Sequence, residues 1–203
     1  MEAIELDIFY DYTCPFVYRA AETIELVRAS GQRQVRVNWR YFSLVQVNSR
    51  EPSWSVWEAS GAQAVHGRLA FASAEAARRQ GGFDRFHLAL LRARHRDGRD
   101  IDDVRVVEEV ATQAGLDLRR FRDDIAAGDV LEQLKRDHTA ARDRHGVFGT
   151  PTFLFPSGAA AYVRLAQVPD AKDVIRVFDH VLSIAAGERS ILEIKRPVGP
   201  ASV

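Results

Sequence analysis

Cysteine is nearly missing from this chain: a single one, Cys14, occurs in 203 residues. An internal disulfide is therefore impossible, a disulfide-stapled secreted scaffold is excluded, and a lone free thiol fits a reducing cytoplasm. An excess of one charge is missing too. The 28 Lys and Arg offset 28 Asp and Glu, so no global basic field exists to hold nucleic acid or an anionic membrane. No apolar run approaches the ~20 residues that a membrane helix needs. The segment Met1 to Tyr10 has neither a basic start nor a continuous apolar stretch, so no secretory signal is expected there. The six histidines are scattered, without Cys or carboxylate at ligand spacing, and no metal site is expected. Internal repeats and low-complexity segments are absent as well.

What is present is an ordinary globular balance, with 46% hydrophobic and 28% charged residues, enough for one large domain or a smaller one carrying an insertion. Ile4, Leu6, Ile8 and Tyr10 alternate with Glu5, Asp7 and Phe9, the period of a strand. Val17, Ala20, Ala21, Ile24 and Val27 then have helical spacing, from Pro15 to about Ser30, with Gly31 as the cap. Val35, Val37, Trp39 and Tyr41 alternate again. Strand, helix and strand within some forty residues form a βαβ unit with a right-handed crossover.

From Glu51 to Gly146 the strand period disappears and helical punctuation replaces it. Phe83, Phe86, Leu90 and Leu91 share one face. Val104, Val107, Val110, Ala111 and Ala114 share another, opened by Asp102 or Asp103 and closed by Gly115. Leu118, Phe121 and Ile125 follow and stop at Gly128. Asp129 is expected to cap the next helix, which carries Val130, Leu134 and Ala141 towards Gly146. The strand period returns at Thr152 to Phe155, turns at Pro156 to Gly158 and resumes through Tyr162, Val163 and Leu165, a hairpin. Asp170 is then expected to cap a helix bearing Val174, Val177, Phe178, Val181 and Leu182, ending at Gly187. The expected organisation is an α/β unit of residues 1–50 and 147–190, a helical insertion of residues 51–146, and a loose tail of residues 191–203.

The chemistry concentrates where the first strand meets the first helix, at Asp11-Tyr12-Thr13-Cys14-Pro15-Phe16-Val17. Proline suits the first helical position, because its missing N–H is unpaired there anyway and its φ is already helical. Cys14 is then the N-cap. The free N–H groups of Phe16 and Val17 and the positive end of the helix dipole favour the thiolate, the nucleophilic form. The competing reading is a small hydrophobe that happens to lie beside a helix start.

The order βαβ, helical block, ββα, with a cysteine opening the first helix, resembles the thioredoxin fold of the DsbA-like family, including its FrnE-like and 2-hydroxychromene-2-carboxylate isomerase-like branches. The motif around Cys14 carries that resemblance, together with Gly146-Val147-Phe148-Gly149-Thr150-Pro151-Thr152-Phe153 and the stretch Leu91 to Leu118. It implies a cis proline at Pro151 beside the active cysteine, although only about 5–6% of X–Pro bonds are cis. The backbone of Thr150 is then free to pair with a substrate or a thiol. The alternative for Pro151 alone is an ordinary strand-start proline.

One departure separates the chain from dithiol members of that family. The Cys-X-X-Cys pattern would place a second, resolving thiol where Val17 stands. Thiol-disulfide exchange must then run through Cys14 alone, with no tightly bound cofactor and with glutathione or another small thiol as the resolving partner. Two other readings stay open. One is a glutathione-dependent isomerase or kappa-class transferase, although those branches have serine at this position. The other is a protein that binds thiols or peptides without turnover. The isomerase-like branch also implies a homodimer.

Around the thiol, Asp11 is a candidate for tuning it, and Tyr12 or Thr13 for donating a hydrogen bond; loop packing or capping is the alternative for each. Arg40 and Arg50 suit the carboxylate of a tripeptide thiol. Trp54 and Trp57 are expected on a helix after Pro52, as core more than as an aromatic wall over the cysteine. None of the histidines has a sequence partner that marks it as a base.

Overall fold

A computed structural model describes residues 3–51, 54–58, 65–188 and 190–196. Strand β1 (Ile4–Tyr10), helix α1 (Pro15–Ala29) and strand β2 (Val35–Tyr41) form the βαβ unit, with β1 and β2 parallel from Ile4↔Val35 to Tyr10↔Tyr41. Six helices follow: α2 (Leu44–Val47), α3 (Arg68–Arg79), α4 (Phe83–His95), α5 (Val104–Gln113), α6 (Leu118–Ala126) and α7 (Leu131–His145). The hairpin β3 (Thr152–Leu154) and β4 (Ala160–Tyr162) then adds antiparallel to β1, giving the order β2-β1-β3-β4. Helix α8 (Val174–Leu182) continues through a π turn, Ser183–Gly187. This is the βαβ, helices, ββα order of the thioredoxin-like fold.

Strand β1 is central and buried on both faces. Leu6, Ile8 and Tyr10 join the main core with Val17, Ile24 and Val27 of α1. Phe9, whose side chain must leave by the opposite face, is fully buried against Phe42, Ala141 and Val147. The period-two pattern missed this second contact because Phe9 stood among the polar alternates. Between β2 and α7, the buried carboxylate of Asp137 accepts from the Tyr41 N–H at 3.1 Å and from Arg40 Nε at 3.0 Å, while Arg40 also meets Asp7 at 3.2 Å. Arg40 is thus held inside the fold by two carboxylates, which corrects its expected role as a thiol-carboxylate binder.

The helical faces match expectation with local exceptions. Phe83, Phe86, Leu90 and Leu91 are buried, as are Val107, Val110, Ala111 and Ala114. Val104 is 53% exposed because it occupies the first turn of α5, directly after the Asp103 cap. Asp129 does not cap α7, since its carboxylate pairs with Arg79 at 3.1 Å. The N-cap of α8 is Asp173; Asp170 supplies only a carbonyl that accepts the Asp173 N–H at 2.8 Å. The hairpin strands are shorter than expected, with Val163 and Leu165 beyond β4. Trp54 and Trp57 lie on no helix; both pack, partly buried, against the main core. Of the tail, residues 191–196 are irregular and exposed, and the remainder lies outside the described residues. Among the described residues no helix is long and apolar enough to cross a membrane.

Candidate active site

Four residues carry the chain from the end of β1 to the start of α1, and the first of them sets the shape of the turn. Asp11 is buried, and its Oδ1 accepts from both the N–H and the hydroxyl of Thr13 at 2.8 Å. Its Oδ2 accepts from the Leu44 N–H at 2.7 Å, so α2, an element with no sequence signal, becomes the outer wall of the loop. Burial pushes the Asp11 carboxyl up, opposed by these hydrogen bonds and by the charge of His66. The carboxylate is spent on the loop, which is the capping role rather than contact with the thiol.

Cys14 is the N-cap of α1, extended at φ −88° and ψ 115°, with Pro15 exposed at the first helical position. Its side chain does not bond the first-turn amides; the Val17 N–H donates instead to the Cys14 carbonyl at 3.1 Å. The buried Sγ donates to the carbonyl of Thr150 at 3.2 Å, across 136 residues of sequence. Only the S–H form makes that bond, because a carbonyl has no proton to return. The Thr150–Pro151 peptide is cis. Its loop is fixed by the Thr152 hydroxyl donating to the Gly149 carbonyl at 2.8 Å and by the Val163 N–H donating to the Pro151 carbonyl at 3.1 Å. The Thr150 hydroxyl is buried without a partner among the described residues. Val17 is fully buried in the core, so the position of a resolving thiol holds an aliphatic side chain.

The helical block grips the same loop through side chains. Tyr12 is fully buried, and its hydroxyl bonds Nδ1 of His87 on α4 at 3.0 Å. That commitment removes Tyr12 as a donor to a thiol substrate. His87 lies among Tyr10, Trp39 and Phe83, with ring centroids 4.4–5.0 Å away. Burial, and then the charge of Arg78, hold its pKa well below the usual histidine range. About two turns further along α4, His95 Nε2 donates to the Tyr12 carbonyl at 2.8 Å. Gly67, at φ +81°, presses so closely on the loop that a Cβ there would meet Thr13 Cγ2 at 3.1 Å. No sequence signal identified either histidine, because their partners lie 75 and 83 residues away.

Two flanks open beside the thiol. Towards β2, a cleft of about 740 Å³ is lined by Thr13, Leu44, Asn48, Arg50, Glu51 and Trp54. Towards β4, Phe148 is 68% exposed and meets the edge of Tyr162 at 5.0 Å. Arg164 lies over both Phe16 at 4.8 Å and Tyr162 at 5.7 Å. Among the described residues no group of three or more His, Cys, Asp or Glu could hold a metal ion.

Comparisons with known proteins agree with this arrangement. The chain is 26% identical over 200 residues to an uncharacterized protein of Mycobacterium tuberculosis, covering 98% of this chain and 84% of that one. Its fold is similar to that of a probable DsbA oxidoreductase from Streptomyces coelicolor, with a TM-score of 0.63, 21% identity and coverage of 95% and 94% of the two chains. It is also similar to the cytosolic disulfide reductase DsbM of Pseudomonas aeruginosa, solved with GSH, with a TM-score of 0.59, 16% identity and coverage of 88% and 99%. The model of the DSBA-like thioredoxin domain matches residues 5–177, and with the thiol at the first helix facing the cis-proline loop, the chain belongs to that family.

Proposed function

We propose that this protein is a cytoplasmic thiol-disulfide oxidoreductase that works through Cys14 alone and relies on an external small thiol of the glutathione class. The observation that carries the reading is the single thiol at the N-cap of α1, bonded to the carbonyl before cis-Pro151, with Val17 sealed in the core at the second position. The sulfur of Cys14, as thiolate, attacks a substrate disulfide R–S–S–R′. A Cys14–S–S–R bond forms, the S–S bond of the substrate breaks, and R′ leaves as its thiolate. Glutathione thiolate then attacks the R sulfur, forms glutathione–S–S–R and returns Cys14 as thiolate. Two electrons move within the sulfur pairs, and no other oxidant or reductant is needed.

The Thr150 hydroxyl, buried and without a partner among the described residues next to the carbonyl that holds Cys14, supports this loop as the one that receives the R group. The β2-side cleft, with Arg50 and Asn48, offers charge and hydrogen bonds to a small anionic thiol. GSH in the solved DsbM structure supports this choice of thiol.

Incubation with glutathione disulfide, followed by intact mass, tests the reading. One glutathionyl group is expected on the wild type, none on Cys14→Ser, and full reversal by glutathione. Tight binding of reduced glutathione without any mixed disulfide would instead favour an isomerase or transferase, and thiol or peptide binding without turnover a binding protein.

A further inference from the structure

The β4 flank of the site has features that a small hydrophilic thiol does not require. Phe148 is the most exposed aromatic side chain among the described residues, at 68%, and it stands two residues before Thr150. An exposed phenyl ring forgoes the stabilisation that its burial would contribute. Its ring stands edge-on to Tyr162, itself 38% exposed, at 5.0 Å and 64°. Gly149 leaves room for that contact, since a Cβ there would meet the Tyr162 ring at 3.2 Å.

Arg164 then bridges Tyr162 and Phe16, at 5.7 and 4.8 Å, and Arg19 lies over the Phe16 ring at 5.1 Å. Neither arginine has a carboxylate partner among the described residues; Arg19 donates to the Leu165 carbonyl at 3.0 Å. The result is a continuous strip, Phe148, Tyr162, Arg164 and Phe16, running along the edge strand and ending on the first turn of α1, two residues from the thiol. The cleft lined by Arg50 is formed by Thr13, α2 and the segment that follows α2, after β2 in the chain, and shares no residue with the strip.

We infer that this strip selects polypeptide disulfides that carry a carboxylate side chain next to an aromatic or aliphatic one beside the cystine, with Arg164 as the specificity-determining residue. The inference rests on the exchange activity proposed above and adds the chemistry of its substrate. The exposed rings call for apolar area, which glutathione does not have, and the two guanidinium groups, neither with a carboxylate partner among the described residues, call for negative charge. Arginine suits this position because its flat cation stacks on rings while its N–H fork stays free for a carboxylate. The paired exchange follows from the two flanks: the polypeptide arrives over β4, and the small thiol comes from the β2 side to release it.

The test compares two synthetic peptides identical except for Glu-Leu or Lys-Leu next to a cysteine carried as a mixed disulfide. Their binding to Cys14→Ser is measured by fluorescence polarisation, which needs no turnover, and their exchange rates with wild type are measured in glutathione. The acidic peptide is expected to bind at least about fivefold tighter and to exchange correspondingly faster. Arg164→Glu should abolish or reverse that ratio, Phe148→Ala should weaken both peptides, and the ratio should shrink in high salt, as it does for exposed charges. Equal binding of the two peptides, or a preference unchanged by Arg164→Glu, would overturn the strip while leaving the glutathionylation of Cys14 intact. Selective binding without any exchange would retain the strip and overturn the activity.

Discussion

The loop that presents Cys14 is gripped from two sides by different means. On the sheet side, the partners are main-chain groups: the Thr150 carbonyl for the thiol, the Leu44 N–H for Asp11, and the Asp11 carbonyl for the Cys14 N–H. On the side of the helical block they are side chains, with His87 on the Tyr12 hydroxyl and His95 on the Tyr12 carbonyl. A main-chain partner survives almost any substitution at its own position and does not titrate. A buried histidine depends on its identity and on pH. The sheet side therefore defines the chemistry, while the helical block contributes a hold that acid can release.

Lowering the pH should break the second hold first, and with the largest effect. Burial keeps His87 well below the usual histidine range and brings His138, whose Nδ1 accepts the Ser43 N–H at 3.2 Å, down to about 4. Below the unfolded value of about 6.5 the unfolded chain binds more protons than the folded one, so stability is complete above that pH and falls as pH drops. For His138 alone the loss between pH 6.5 and 4 is roughly 3 kcal/mol, and His87 adds to it. Asp11, with its carboxyl pushed up, acts in the opposite direction over the carboxylate range. Urea midpoints measured from pH 7.5 to 4 should fall steadily; a flat profile would contradict the buried neutral histidines.

The sheet-side hold is tested by Asp11→Ala, which strips three hydrogen bonds and leaves the Leu44 and Thr13 amides without their acceptor. A loss of about 2–3 kcal/mol is expected in chemical unfolding at pH 7, and a loss under 1 would mean that the turn holds itself. On the other side, Tyr12→Phe removes the hydroxyl from His87 and is expected to cost about 1–2 kcal/mol. Its glutathionylation rate should stay close to wild type, because the hydroxyl faces away from the exchange chemistry; a large rate loss would give Tyr12 a direct role.

The smallest stability change, and the sharpest contrast, is expected from Thr150→Val. The hydroxyl it removes is buried and unpartnered, so stability should hold or rise by up to about 1 kcal/mol, because an unpaired buried polar group costs free energy. Slower mixed-disulfide formation in the same variant would show that the hydroxyl is kept for the substrate, and an unchanged rate would assign it no role.

Much of the fold was legible because its signals are local. The alternation in β1 and β2, the 3.6-residue spacing in α1, α4 and α5, and the glycines that end helices all depend on neighbours within a few positions. The lone cysteine before a proline, and the missing thiol at Val17, were equally plain. Short elements were harder to see. Helix α2 has only four residues, the cap of α7 shifted because Asp129 found Arg79 across the fold, and the cap of α8 lies at Asp173 rather than Asp170.

By itself, the sequence determined that one thiol opens the first helix, that no second thiol stands beside it, and that helices fill the space between two halves of a sheet. Tertiary structure decided what that thiol touches. The bond to Thr150 closes 136 residues of chain, Tyr12 turns into the helical block, Arg40 is consumed by Asp7 and Asp137, and Phe148 stays outside. None of these follows from local spacing. Each depends on which distant groups pay for the burial of a polar atom, and that is settled only when the sheet and the helical block pack together.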